Sequence, residues 1–113
     1  MASLKSTTVA GNLTVSGLTT GINLKLTKEA EAQSFNATSD ARLKENFETF
    51  EAEKSILDLP IYKYDFINGL KGQIGCKAQD LQEICPEIVH ENEEGYLSIQ
   101  ESKIVYLLLK EIK

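Results

Sequence analysis

Acidic residues are missing from the first 28 positions of this 113-residue chain, and a single arginine, Arg42, stands among its 12 basic residues. With 17 acids the formal net charge is −5, which argues against nucleic acid and anionic membrane as partners. No stretch of 18 apolar residues occurs, so a membrane-spanning helix is not expected. The start, Met1-Ala2-Ser3-Leu4-Lys5, lacks the apolar run of a signal peptide, and export by that route is not expected. Cys76 and Cys85 have no second pair beside them, and His90 is the single histidine. Neither a disulfide framework nor a Cys/His zinc site is available from that set, so two reduced thiols and no cofactor or metal are expected. A glycine-rich phosphate loop and a His-Glu-x-x-His motif are both missing. His90 reads as an ordinary strand-end residue rather than a base.

What is present is a globular composition, 42% hydrophobic and 26% charged, at a length that suits one domain or a small domain with an appendage. The charge divides the chain. Residues 1–28 carry three lysines and are rich in Thr, Gly and β-branched side chains, whereas residues 39–113 hold 15 acids against nine bases, a local net of −6. A boundary is expected within residues 29–38. The first part contains a repeat with a period of six, Thr8-Val9-Ala10-Gly11-Asn12-Leu13 and then Thr14-Val15-Ser16-Gly17-Leu18-Thr19. Each unit reads as a three-residue strand and a glycine corner. Such a strand cannot bury its apolar face alone and gains stability by winding with other copies. An unstructured leader is the other reading of the same residues.

The second part reads as mixed α and β. Residues 40–57 place Leu43, Phe47, Phe50 and Leu57 among acids, the pattern of an amphipathic helix stopped by Pro60. Residues 61–66 alternate as a strand, Asn68-Gly69 and Gly72 supply a turn, and residues 73–76 return as the hairpin partner. Residues 78–84 form a short helix ended by Pro86. Two strands, 88–90 and 96–99, flank the acidic turn Glu91-Asn92-Glu93-Glu94-Gly95. Residues 102–113 form the most apolar helix. Val105, Leu108 and Ile112 fit one seam and Ile104 and Leu107 an adjoining stripe, so one face suits the chain's own domain and the other a neighbour. The apolar pattern runs to Lys113 without a cap, as expected where a helix continues or ends inside an assembly.

One constellation invites chemistry, Thr38-Ser39-Asp40-Ala41-Arg42-Leu43-Lys44. Thr, Ser and Asp ahead of an amphipathic pattern form an N-cap, with Asp favourable at the positive helix end. Alternatively Ser39 is a nucleophile and Lys44, five residues on, its general base. A lysine acts as a base only when neutral, and its reference pKa is about 10.4. Lowering that by roughly three units costs about 4 kcal/mol, which calls for burial or neighbouring positive charge. Another chain could provide the burial. Arg42 and the helix start add positive potential, and Asp40 opposes them.

The stretch from Thr38 to Asn46 resembles the opening of the self-cleaving intramolecular chaperone domain found at the C-termini of phage tailspikes, tail fibres and neck appendages, of the endosialidase type. Three later blocks resemble the family in the same order: Leu59-Pro60-Ile61-Tyr62-Lys63-Tyr64, then Ile74 through the Ala78-Gln79-Asp80 and Pro86-Glu87 elements, then Gly95-Tyr96-Leu97-Ser98-Ile99. The likeness spans about residues 38–113. Cys76 stands where the family commonly has an aromatic residue and Lys77 where an apolar one is usual, so packing around Gln79 is expected to differ.

This resemblance implies an α+β fold, a small mixed helix and antiparallel strand domain with a C-terminal trimerising helix. A short β-rich fibre segment would precede it. Residues 1–38 would be the end of a trimeric β-rich fibre or appendage shaft, and residues 39–113 the intramolecular chaperone and autoprotease. It implies Ser39 and Lys44 as the catalytic dyad, Ser39 and Asp40 as the cleavage site, and Arg42 and Gln79 in support. The implied partners are two further copies in a homotrimer and the chain's own fibre segment as folding client and cleavage substrate. The implied setting is a virion precursor made in the cytoplasm of an infected bacterium, with the fibre retained in the virion and the chaperone released. Two other readings stay open: a noncatalytic trimerisation or receptor-binding tip in which Ser39 only caps a helix, and a small-molecule enzyme resting on Ser39 and Lys44 alone.

Overall fold

The computed structural model describes residues 6, 8–21 and 23–113. Met1 to Lys5, read above for a leader, lie outside the described residues. The chain divides into two units, Met1–Glu31 and Ala32–Lys113.

In the first unit the described residues form neither helix nor strand, and all are exposed. The six-residue repeat therefore does not make its expected strands in a single chain. The physical reason is the one its composition suggests: a three-residue strand with no neighbouring edge leaves its backbone groups unpaired and its few aliphatic side chains in water.

In the second unit the elements follow the order β1 (Tyr62–Tyr64), β2 (Gln73–Gly75), α1 (Ala78–Ile84), β3 (Val89–Glu91), β4 (Leu97–Ile99) and α2 (Ile104–Ile112), with short 3-10 turns between them. This is the small mixed α+β domain expected, with antiparallel strand pairs and a C-terminal helix. β1 pairs with β2 so that Tyr62 faces Gly75 and Tyr64 faces Gln73. Its loop closes through a hydrogen bond from Phe66 N–H to the Leu70 carbonyl at 2.8 Å. Gly69 is needed there because a Cβ at that position would lie 2.9 Å from the Cβ of Phe66. β3 pairs with β4, with Val89 opposite Ile99 and His90 opposite Ser98. The acidic turn between them is pinned by Asn92, whose Oδ1 accepts from the N–H groups of Glu94 and Tyr96 at 3.0 and 2.9 Å, and by Gly95 at φ 88°.

The core is centred on α1. Leu81 is fully buried, and Ile84 and Cys85 follow at helical spacing beside Ile56, Ile88 and Leu107. Asp80 in the first turn suits the helix dipole. Cys85, which precedes Pro86, leaves the helical region at φ −150°, ψ 84°, and ends the helix. On α2, Leu107 is buried and Ile104 packs against the core, while Val105, Leu108 and Ile112 remain exposed. The two stripes read from the sequence are thus separated as expected, one facing the domain's own core.

The amphipathic helix expected over residues 40–57 does not form. Ala41–Leu43 makes one 3-10 turn, a second covers Ile56–Asp58, and the chain between them is irregular. Asn46 takes the left-handed conformation at φ 59°, which interrupts a helix, and Leu43 and Phe47 stay largely exposed. The segment attaches to the core instead through Ala52, Ile56 and a hydrogen bond from Glu53 N–H to the Ile84 carbonyl at 3.0 Å.

Candidate functional site

Residues 38–44 build a compact reversal. Asp40 is extended at φ −65°, ψ 128°, and its side chain accepts from the Arg42 N–H at 2.9 Å, capping the 3-10 turn. Leu43 and Lys44 donate their N–H groups to the carbonyls of Asp40 and Ala41 at 3.0 and 3.1 Å. Lys44 is extended again at φ −124°, ψ 155°. A single tight turn between two extended residues brings the side chains at 39 and 44 to the same side, which a continuous α-helix at that spacing would not do. Lys44 Nζ donates to Ser39 Oγ at 2.7 Å.

The cap is Asp40 rather than Ser39, so the serine hydroxyl is free to meet the lysine. The guanidinium of Arg42 grips the Asp40 carboxylate through Nε at 3.1 Å and Nη2 at 2.8 Å. That grip, helped by the Arg42 backbone N–H, holds the Asp40 carboxyl below the usual carboxylate range, and Asp40 in turn raises Arg42. The two charges therefore offset one another beside the Ser39–Lys44 pair, and Arg42 contributes to the turn more directly than to a net positive field.

Ser39 and Lys44 are both exposed in the single chain. They line an open groove of about 530 Å³ with Thr38, Ser102, Val105 and Tyr106. The far wall, at the start of α2, carries no signal in the spacing of the sequence, because some sixty positions separate it from the turn. Gln79 lies elsewhere, in a groove between the β1–β2 hairpin and β4 lined also by Tyr64, Cys76 and Glu101. The thiols are not nucleophile candidates. Burial first, and then Glu101, pushes Cys76 up, and burial followed by Glu87 pushes Cys85 up, so both stay protonated at neutral pH. His90 is exposed on β3.

Comparison with known proteins gives no match among curated proteins or among solved structures. Residues 39–90 match the model of a peptidase family described as chaperone of endosialidase. The matched segment opens on Ser39 and runs through the 3-10 turn, the β1–β2 hairpin, α1 and the Ile88 contact of the core. Over residues 39–90, which open on the serine of the Ser39–Lys44 pair, the chain is thus similar to the chaperone-of-endosialidase family.

Proposed function

We propose that this domain is a C-terminal chaperone that trimerises, registers a phage tail or neck appendage fibre formed by the preceding segment, and then releases itself by Ser39–Lys44 autoproteolysis. The observation that carries the reading is the 2.7 Å hydrogen bond between Lys44 Nζ and Ser39 Oγ at the first residue of the family segment.

The chemistry requires a neutral lysine. Lys44 Nζ then takes the Ser39 Oγ proton while Oγ bonds to the carbonyl carbon of the scissile peptide. As the carbon–nitrogen bond breaks, the proton passes from Lys44 to the departing amine. Water then hydrolyses the ester, leaving a new carboxylate and restoring the serine hydroxyl. The exposure of both side chains in one chain supports a site completed by assembly. Neighbouring copies would exclude water and favour the uncharged amine.

The need for registration follows from the repeat. Strands with a six-residue period can slip by one unit and bury nearly the same face. A domain that assembles first holds three chain ends at high local concentration, so the fibre zips from a fixed register. Removing the template afterwards makes the fibre's stability kinetic. The exposed seam of Val105, Leu108 and Ile112 on α2 supports the assembly step. Intact-mass measurement of the purified chain tests the proposal: two fragments are expected, and a trimer that keeps full-length chains would favour the noncatalytic tip.

A further inference from the structure

A serine at the start of a helix ordinarily caps it, and Ser102 does not. It lies inside the 3-10 turn Glu101–Lys103 that leads into α2, where the cap positions fall to Gln100 and Lys103 and neither end has a side-chain cap. Among the described residues its hydroxyl has no hydrogen-bond partner, and it lines the groove shared by Ser39 and Lys44. Lys44 Nζ makes one hydrogen bond among the described residues, to Ser39. No carboxylate forms a salt bridge with it among those residues, the nearby Asp40 being held by Arg42.

A neutral primary amine has one lone pair and two N–H bonds. To take a proton from Ser39, the lone pair must point at Oγ, and free rotation about the last carbon–nitrogen bond of lysine spreads it over three directions. An acceptor for one N–H removes that freedom. On the α2 wall the hydroxyl-bearing residues are Ser102 and Tyr106, whereas Val105 has no polar side-chain atom and a charged Lys103 cannot accept. Tyr106 also lines a separate apolar groove with Phe50 and Cys85, so Ser102 is the hydroxyl of this wall that the second groove does not share.

We propose that Ser102 is a positioning residue for the autoproteolytic reaction, its hydroxyl accepting a hydrogen bond from Lys44 Nζ so that the amine faces Ser39. The inference rests on the Ser39–Lys44 reading and deepens it. Ser102 neither gains nor loses a proton in the step.

The test compares side chains of one shape in the full chain. Ser102→Thr keeps the hydroxyl, and Ser102→Val has the volume of threonine without it. Cleavage followed by intact mass is expected to slow at least about 10-fold in Ser102→Val and to stay within about threefold of wild type in Ser102→Thr, the scale of a lost orienting contact. Wild-type cleavage in Ser102→Val overturns the inference. Cleavage that persists in Ser39→Ala and Lys44→Ala overturns the dyad reading instead, so the two failures are distinct. A second measurement avoids turnover. In the Ser39→Ala background, hydrogen exchange at Lys44 Nζ, read by nitrogen-15 NMR, is expected to accelerate on adding Ser102→Val. Unchanged exchange there, with slowed cleavage in Ser102→Val, assigns the residue a merely structural role and overturns the proposal.

Discussion

Lys44 reaches back across one 3-10 turn to place its Nζ 2.7 Å from the Oγ of Ser39. Neither residue is held by the core. The pair is brought together by local backbone geometry, through the Asp40 cap and the two backbone hydrogen bonds that close Ala41–Leu43. Its chemistry is therefore separable from the stability of the domain, which allows clean tests.

Ser39→Ala and Lys44→Ala are each expected to slow self-cleavage by at least about 100-fold, the low end of what a positioned base contributes. Lys44→Arg should fail as well, because a guanidinium does not deprotonate in the accessible pH range. Secondary structure by circular dichroism should be unchanged in all three, since both side chains are exposed. Wild-type fragment yields in any of them would show that the dyad is misassigned.

The Asp40–Arg42 pair gives a test in acid. The folded Asp40 carboxyl lies below its ordinary value because of the Arg42 guanidinium, so its contribution to the turn is fully present above the unfolded carboxylate range. That contribution is lost as pH falls through the lowered folded value. In Arg42→Ala, a carboxyl titration followed by carbon-13 NMR should move Asp40 up toward the ordinary aspartate value of about 3.9. The thermal midpoint at neutral pH should barely change, because the pair is exposed. A titration identical to wild type would remove the ion pair from the account of this turn.

Leu81 tests the core. It is 0% exposed at the centre of α1, and Leu81→Ala should cost about 2–5 kcal/mol in urea denaturation. In a domain with six buried hydrophobic residues, that loss is a large part of the total. An unchanged denaturation midpoint would mean that the packing centre lies elsewhere.

How much of this was legible in advance depended on whether neighbouring residues were enough to decide it. α1 runs over Ala78–Ile84 as read, because good helix formers, Asp80 near the N-terminus and Pro86 after the end all agree. Both hairpins were legible from their turn residues, Asn68-Gly69 and Asn92 to Gly95. Residues 40–57 were not. Leu43, Phe47 and Phe50 have helical spacing, yet Asn46 turns left-handed and Leu43 and Phe47 stay largely exposed. Ser39 and Lys44 were readable as a pair, whereas the wall of Ser102 and Tyr106 opposite them depends on tertiary packing and has no local signature.

Two faces of α2 predict opposite mutational outcomes. Val105 and Ile112 are 63% and 75% exposed, whereas Leu107 is buried. Leu108→Glu should leave the fold intact and convert a trimer to monomers in sedimentation equilibrium at micromolar concentration. Leu107→Glu should unfold the domain, since it would bury an unpaired carboxylate. A monomer mass for the wild type would sink the assembly proposal directly.

The position of the cut separates two mechanisms. If the hydroxyl of Ser39 attacked its own carbonyl, the ring formed would have four members and be strained, whereas attack on the carbonyl of Thr38 would close a ring of five. A cut after Ser39 therefore calls for the Ser39 hydroxyl of a neighbouring copy or an activated water, and it makes the reaction depend on assembly. The exposure of the pair in the single chain favours that arrangement, and the expected bond is Ser39–Asp40. Edman sequencing of the C-terminal fragment decides the position: Asp40 in the first cycle supports the cut after Ser39, and Ser39 in the first cycle assigns the attack to Thr38 within one chain. The Leu108→Glu variant decides the dependence on assembly. Once monomeric, it should lose cleavage while keeping its circular dichroism spectrum, and undiminished cleavage there would place the whole reaction within a single chain.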